Sequence, residues 1–215
     1  MYQFLLFDLD GTLTDSVEGI LGTLRYTLEQ FGIEETDEKR MISFIGPPLL
    51  ESLQTHYGMT EPDLQTALIT YRDHYRAHGM YQNQLYPGVL ATLETLREQG
   101  VRMGVATAKG EWTANRVVDH FGLRPYFEFV VASDMKVNRN HKDQIITLAL
   151  THLDGLPKEK IVMIGDRQDD ILGAHKNGIA SVAVTYGYGT IEELRKASPT
   201  HFVSHPKEII DLVGE

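Results

Sequence analysis

The stretch Phe4-Leu5-Leu6-Phe7-Asp8-Leu9-Asp10-Gly11-Thr12-Leu13-Thr14-Asp15-Ser16 joins an uninterrupted apolar run to three carboxylates. The run is too short for a helix and does not alternate, which is typical of a strand buried on both faces in a parallel sheet. Asp8 then lies at the carboxyl end of this strand. Two carboxylates about 5 Å apart repel by roughly 3 kcal/mol at an effective dielectric near 20, so Asp8 and Asp10 need a cation, a shared proton or full solvation.

Further apolar runs recur after Tyr86, each followed by a polar turn and a helical pattern. The runs are Val101–Thr107, Phe129–Ala132, Ile161–Ile164 and Ala180–Val184. Strands and helices that alternate at this spacing predict right-handed crossovers and a mostly parallel sheet. The sequence therefore predicts an α/β fold with a Rossmann-like parallel sheet as its core.

The region between Asp15 and Leu85 shows helical periodicity and no convincing strand. It separates the first strand from the next crossover helix, predicted at Val89–Glu98. We expect residues 1–14 and 86–215 to form the core and residues 15–85 to form an inserted helical cap domain. Ligands of open α/β sheets bind outside the carboxyl ends of the strands, so we expect the cap to cover that edge.

Composition limits the classes of partner and of metal site. The net charge of −10 works against nonspecific binding to nucleic acid, so a phosphorylated substrate would need a local positive site. The absence of cysteine restricts metal ligands to oxygen and imidazole and fits a reducing compartment. No apolar segment approaches the roughly 20 residues that span a bilayer, and no signal peptide is recognisable. We expect a cytoplasmic protein that binds neither a membrane nor a nucleic-acid polymer.

Polar residues end the predicted strands in four places, and in a parallel sheet these ends meet at one edge. The segments are Asp8–Thr12, Ala106–Lys109, Ser133–Asp134 and Gly165–Asp170. Carboxylates from two strands, with a hydroxyl and a lysine, indicate an oxygen-ligand site for a hard cation beside an anion. Mg²⁺ fits, because it prefers near-octahedral oxygen coordination and is commonly held by carboxylates and substrate phosphate.

Together these residues resemble the haloacid dehalogenase-like phosphohydrolases over nearly the whole chain. Asp8–Leu13 matches the family's first motif, Thr107 its second, Lys142 its third and Gly165–Asp170 its fourth. Each motif alone would fit a solvated turn, but their joint occurrence in this order argues against that interpretation. The helical insert resembles the small cap of the phosphoglycolate phosphatase-like branch.

The resemblance implies a role for each matched aspartate. Asp8 would attack phosphorus and form an aspartyl-phosphate, and Asp10 would protonate the leaving oxygen and then activate water. Mg²⁺ would be bound by Asp8, Asp166 and the main-chain carbonyl of Asp10, with Asp170 supporting these ligands. Branches of the family that attack carbon–halogen bonds do not need an acid to protonate an alkoxide leaving group. The presence of Asp10 therefore favours phosphate esters as substrates.

The resemblance also implies a phosphate-binding set of Gly11, Thr12, Thr107, Ala108 and Lys142. Lys142 would supply the local positive charge that the acidic chain requires. Lys109 is interpreted as a helix-start or solvent-facing residue, and contact with phosphate is left open as the alternative.

The implied substrate is a small phosphorylated metabolite, either phosphoglycolate or a 5′-nucleotide. In the cap, we expect substrate specificity to depend on Ile45, Gly46, Pro47 and Arg72, although the first three would also suit a buried corner and Arg72 a solvated helix face. Two alternatives stay open: a phosphosugar mutase of the β-phosphoglucomutase type, and a non-catalytic binding module. The sequence does not predict the oligomeric state, since apolar cap residues would serve a dimer as well as a substrate.

Overall fold

The structure of the chain is a computed structural model that describes residues 1–134, 137 and 139–213. It contains two compact units, one formed by residues 1–14 and 85 onward and the other by residues 15–84. The chain leaves the first unit after Thr14 and re-enters it at Leu85. The separate roles expected for the two units, core and cap, remain predictions.

The strands of the described residues form one large and one small sheet. In chain order they are β1 (Phe4–Phe7), β2 (Thr14–Asp15), β3 (Gln84–Leu85), β4 (Arg102–Gly110), β5 (Val130–Ser133), β6 (Ile161–Gly165), β7 (Ala180–Val184) and β8 (His201–Val203). The large sheet has the order β5-β4-β1-β6-β7-β8 and is parallel throughout, whereas β2 pairs with β3. The predicted α/β fold is confirmed, and β8 is a strand that the sequence analysis did not predict.

Helices flank the large sheet and also make up the second unit. They are α1 (Val17–Glu29), α2 (Glu38–Ile42), α3 (Leu49–Tyr57), α4 (Asp63–Ala77), α5 (Val89–Glu98), α6 (Glu111–His120), α7 (Lys142–Leu150), α8 (Gln168–Asn177) and α9 (Ile191–Ala197). Helix α7 packs on β4 and β5, and α8 packs on β6 and β7. Among the described residues, every helix is too short or too polar to cross a membrane.

Strand β1 lies at the centre of the large sheet, between β4 and β6. All four of its residues are at most 1% exposed, as expected for a strand covered on both faces. Phe4 and Leu6 belong to a core cluster that also contains Ala106, Met163 and Ile146. Burial of these apolar side chains, with about 1.5–3 kcal/mol from each of the larger ones, holds the strand in place.

The strand order determines where a ligand can bind. The chain moves outward from β1 through β4 to β5 and then returns to β6, on the other side of β1. The carboxyl ends of β1 and β6 are therefore neighbours at the point where the chain reverses direction, the usual ligand-binding position in open α/β sheets.

The unit of residues 15–84 is built around a close contact near α1. An added Cβ atom on Gly19, in α1, would lie 2.0 Å from the carbonyl oxygen of Gly79. Helices α1 and α4 pack together, and buried side chains such as Leu24, Leu28 and Leu53 fill the interior. The helical periodicity of this region thus corresponds to real helices with a core of their own.

Candidate active site

Three of the predicted aspartates meet beyond the ends of two neighbouring strands. Asp8 directly follows β1, Asp166 directly follows β6, and Asp170 lies in the first turn of α8. One carboxylate oxygen from each lies within 4.8 Å of those of the other two, and all three residues are buried. The carboxylate of Asp10 is outside this cluster, and the resemblance assigns only the main-chain carbonyl of Asp10 to the metal.

Lys142, the first residue of α7, supplies the positive charge at the cluster. Its Nζ lies 2.9 Å from Asp8 Oδ1 and 2.7 Å from Asp170 Oδ1, and it donates to the carbonyl of Ala106 at 3.1 Å. Burial lowers the pKa of Lys142, but the charges of Asp170 and Asp8 outweigh burial and raise the pKa above its ordinary value. Lys142 therefore stays charged beside the predicted nucleophile.

Burial makes the ionised carboxylates costly despite this lysine. It raises the pKa of Asp8 to about 6, since Lys142 only partly offsets burial and Asp170 adds repulsion. Burial, followed by the charges of Asp170 and Asp8, raises the pKa of Asp166 well above its ordinary value. Close carboxylates with raised pKa values are typical of sites that bind a cation or move protons.

The donor set fits a divalent cation. Asp8 Oδ1 and Asp170 Oδ1 are buried beside the Lys142 ammonium, at 2.9 and 2.7 Å. Hard oxygen ligands that converge in a buried position suit Mg²⁺, and its charge would offset the repulsion among them.

Asp166 is held by hydrogen bonds on both of its oxygens. The hydroxyl of Thr12 donates to Oδ1 at 3.2 Å, and the main-chain N–H of Tyr188 donates to Oδ2 at 2.8 Å. Hydrogen bonds of this kind orient a metal ligand and affect its affinity for the ion. Tyr188 belongs to the loop after β7, a contribution that the sequence analysis missed.

Glycines let this loop approach Asp166 closely. An added Cβ atom on Gly187 would lie 2.3 Å from Asp166 Cβ, and one on Gly189 would lie 2.0 Å from the Asp166 carbonyl oxygen. Tyr186 lies in the same loop, between β7 and Gly187. Its hydroxyl donates a hydrogen bond to the carbonyl of Thr12 at 3.1 Å. The available sequence signal was Tyr-Gly-Tyr-Gly one residue after a predicted strand, because alternating glycines near a strand end indicate close approach of the backbone.

Asp10 is paired with a second lysine at the end of β4. Lys109 Nζ lies 2.7 and 3.0 Å from the two oxygens of Asp10, and the Lys109 side chain is only 6% exposed. The interpretation of Lys109 as a helix-start or solvent-facing residue is therefore wrong. The Lys109 main-chain N–H also donates to the hydroxyl of buried Thr107 at 3.2 Å.

The turn after Asp10 is shaped by its own hydrogen bonds. The amides of Gly11 and Thr12 donate to the carbonyls of Thr14 and Leu9, at 2.8 and 3.3 Å. Gly11 has φ of 84°, and an added Cβ atom there would lie 2.2 Å from Asp166 Oδ2. The absence of a side chain at Gly11 leaves space for the Asp166 carboxylate, and the phosphate contacts of Gly11 and Thr12 remain predictions.

The predicted specificity residues lie in the unit of residues 15–84. Ile45 is buried, and Gly46 has φ of 110°, in the turn that continues through Pro47. Arg72 is exposed, although partial burial of its guanidinium, followed by the charge of Arg76, lowers its pKa. Their contact with a substrate remains a prediction.

Comparison with known proteins identifies the family. The family model described as haloacid dehalogenase-like hydrolase matches residues 5–184. The chain belongs to the haloacid dehalogenase-like hydrolases. The predicted membership is thus confirmed.

Three similar proteins illustrate the range of this family. A 5′-nucleotidase from Pseudomonas aeruginosa is 40% identical over 94% of this chain and 90% of its own length. Tyrosine-protein kinase PtkA from Mycobacterium tuberculosis is 39% identical over 98% of this chain and 71% of its own length. The crystal structure of a predicted phosphatase from Clostridium acetobutylicum has a TM-score of 0.92 and 37% identity, covering 98% of this chain and 99% of that one. The named phosphatases among such relatives support an enzyme of the phosphatase class.

Proposed function

We propose that this protein is a Mg²⁺-dependent phosphomonoester hydrolase that forms an aspartyl-phosphate on Asp8. The observation that carries the proposal is the position of the Asp8 carboxylate, which lies 2.9 Å from the Lys142 ammonium and within the cluster of Asp166 and Asp170. Phosphoryl transfer depends mainly on positioning and on compensation of negative charge. A carboxylate between an ammonium and a set of cation ligands meets both requirements.

The residues that would hold Mg²⁺ are Asp8, Asp166 and the main-chain carbonyl of Asp10, with Asp170 supporting them. When bound, Mg²⁺ would offset the negative charge of the phosphoryl oxygens and of the carboxylates around them. The hydrogen bonds from Thr12 and Tyr188 orient the Asp166 carboxylate.

The proposed reaction has two halves. In the first, an oxygen of Asp8 forms a bond to phosphorus, the bond from phosphorus to the leaving oxygen breaks, and Asp10 gives that oxygen a proton. In the second, Asp10 takes a proton from a water molecule as the water oxygen attacks phosphorus, and the bond between phosphorus and the Asp8 oxygen breaks. Lys142, Thr107 and the backbone at Ala108 are the proposed contacts of the phosphoryl oxygens.

The proposed substrate is a small phosphorylated metabolite, and we favour a 5′-nucleotide over phosphoglycolate. The support is the similarity to the 5′-nucleotidase of Pseudomonas aeruginosa along nearly the full length of both chains. The residues proposed to contact the part of the substrate beyond the phosphate are Ile45, Gly46, Pro47 and Arg72.

A second candidate is phosphoryl transfer to an acceptor other than water. The similarity to a protein named as a tyrosine-protein kinase favours retaining it. A mutase differs from a hydrolase in the same way, because its phosphoenzyme passes the phosphoryl group to a sugar. The fate of the phosphoryl group therefore decides between the candidates.

The test is a panel of phosphate esters, with and without Mg²⁺, in which free phosphate and phosphorylated acceptors are both measured. The panel contains nucleoside 5′-monophosphates, phosphoglycolate, pyrophosphate and sugar phosphates. We expect Mg²⁺-dependent release of phosphate from a nucleotide. No turnover of any ester, despite tight binding, would favour a binding module.

Variants of Asp8 test the mechanism. Asp8→Asn and Asp8→Ala should lower kcat by at least about 10³-fold while the protein stays folded, because Asn offers only a neutral amide oxygen and Ala offers none in place of the attacking carboxylate. Asp154→Asn is the matched control, since Asp154 is exposed and lies outside the motifs, in the segment between α7 and β6. Mg²⁺-dependent turnover by both Asp8 variants at the rate of the control would rule out an aspartyl-phosphate.

A further inference from the structure

Lys109 contacts both Asp10 and Thr107 in the candidate site. The family resemblance assigns roles to Asp10 and Thr107 but none to Lys109. Its ammonium contacts both oxygens of Asp10, the proposed proton donor, at 2.7 and 3.0 Å. Its main-chain N–H donates to the hydroxyl of Thr107, a proposed phosphate contact, at 3.2 Å. The Asp10 side chain is 15% exposed, so the ion pair lies largely shielded from solvent.

Lys142 alone leaves a phosphoryl group short of donors. An ammonium has three hydrogens, and three oxygens already lie within 3.1 Å of Lys142 Nζ. They belong to Asp8, Asp170 and the carbonyl of Ala106. A transferring phosphoryl group spreads its charge over three further oxygens, each of which needs a compensating group.

The position of Asp10 brings the substrate to Lys109. The leaving oxygen has to come within hydrogen-bond distance of Asp10 for a proton to pass between them. Any oxygen that does so enters the immediate neighbourhood of the Lys109 ammonium, because that ammonium lies against both oxygens of the same carboxylate. A lysine has a flexible four-carbon stem, so its ammonium can move between acceptors without a change in the backbone.

We propose that Lys109 is a phosphate-binding residue that exchanges Asp10 for a phosphoryl oxygen when the substrate enters. The exchange supplies a second ammonium to the phosphoryl group and at the same time frees Asp10 to approach the leaving oxygen. The role given to Asp10 rests on the proposed function. The contact between Lys109 and phosphate does not need turnover, so it can be tested by binding.

The experiment measures binding of inorganic phosphate to the Mg²⁺-loaded protein by calorimetry. We expect Lys109→Met and Lys109→Gln to weaken phosphate binding by about tenfold to a hundredfold, as is usual for loss of a charge-assisted hydrogen bond. Lys109→Arg should keep most of the affinity. Lys207→Met, which removes an exposed lysine, is the matched control, and binding of Mg²⁺ without phosphate should be equal in all four variants.

A double-mutant cycle tests the exchange itself. If Lys109 has to leave Asp10 in order to bind phosphate, Asp10→Ala removes the competing acceptor and should tighten phosphate binding. This gain should disappear in the Asp10→Ala, Lys109→Met double variant. If Asp10→Ala tightens phosphate binding equally with and without Lys109, the gain comes only from lower repulsion between Asp10 and phosphate. That result would overturn the exchange.

Other outcomes also overturn the proposal. Unchanged phosphate affinity in both Lys109→Met and Lys109→Gln does so, as does a wild-type protein that binds no phosphate. In turnover assays, Lys109→Met should slow p-nitrophenyl phosphate and an alkyl phosphate alike, whereas a loss confined to the alkyl ester would mean that Lys109 acts on Asp10 alone. If phosphate binding depends on Lys109 but the wild type hydrolyses no ester, the hydrolase proposal fails and this one stands.

Discussion

The main-chain N–H of Tyr188 donates to Asp166 Oδ2 at 2.8 Å across 22 positions of sequence. The loop after β7 thereby holds a carboxylate that follows β6, and the hydroxyl of Thr12 holds its other oxygen from the turn after β1. The orientation of this proposed metal ligand thus depends on the segment that carries it and on two others that are separate from it in sequence. Because outer hydrogen bonds of this type tune metal affinity, the loop can be tested through Mg²⁺ binding.

Gly187→Ala should weaken Mg²⁺ binding by about 10- to 100-fold. Its Cβ atom would lie 2.3 Å from both Asp166 Cβ and the carbonyl oxygen of Gly11, so the loop has to move and Asp166 loses its support. Calorimetry gives the affinity directly. Gly22→Ala is the control, because its nearest neighbour is 3.9 Å away. A folded Gly187→Ala protein with wild-type Mg²⁺ affinity would contradict the expectation.

The metal-free protein should lose stability as the pH rises from about 4 through about 6. Burial raises the pKa values of Asp8 and Asp166, so in this range the folded state binds more protons than the unfolded state. The free energy of unfolding then falls with increasing pH. Mg²⁺ should remove much of this loss, because it binds the ionised carboxylates.

Urea unfolding across this pH range, with EDTA or with Mg²⁺, measures the effect. Other groups titrate in the same range, so the comparison is made with Asp166→Asn, which cannot ionise at that position. We expect a shallower pH dependence for Asp166→Asn without metal. Identical profiles for the two proteins would show that Asp166 titrates normally.

Two glycines on the same helix should respond oppositely to alanine. Gly19→Ala places a Cβ atom 2.0 Å from a backbone carbonyl oxygen and should destabilise the unit of residues 15–84 by about 1–3 kcal/mol or more. Gly22→Ala, with space around it, should stabilise α1 by up to about 1 kcal/mol. Hydrogen exchange of residues 15–84 reports both changes, and equal effects of the two substitutions would refute the close contact.

Local pattern was sufficient for much of the fold. The bounds predicted for β1, β7 and α5 are those observed, because each is set by an apolar run or a helical period that ends in polar or turn residues. The prediction for β4 was less successful, since the strand continues to Gly110 instead of ending at Thr107. A register irregularity between Thr107 and Gly110 extends it, and such an irregularity depends on pairing with β5.

The contacts of individual charges were harder to predict. A lysine after a strand more often faces solvent, and nothing adjacent in sequence to Lys109 indicates Asp10 as its partner. The two residues are 99 positions apart. They meet because β1 and β4 are neighbours in the sheet, which follows from strand order.

By itself, the sequence determined that buried parallel strands end in aspartates at one edge, and which residues match the family's motifs. Periodicity and polarity are local properties of the chain, so they can be recognised from the sequence alone. Only the tertiary structure decided that Lys109 pairs with Asp10, that Thr12 supports Asp166, and that Gly187 allows a loop to close on Asp166. Those contacts join residues that are far apart in the chain, and their energies depend on distances of a few ångströms that only the packed sheet sets.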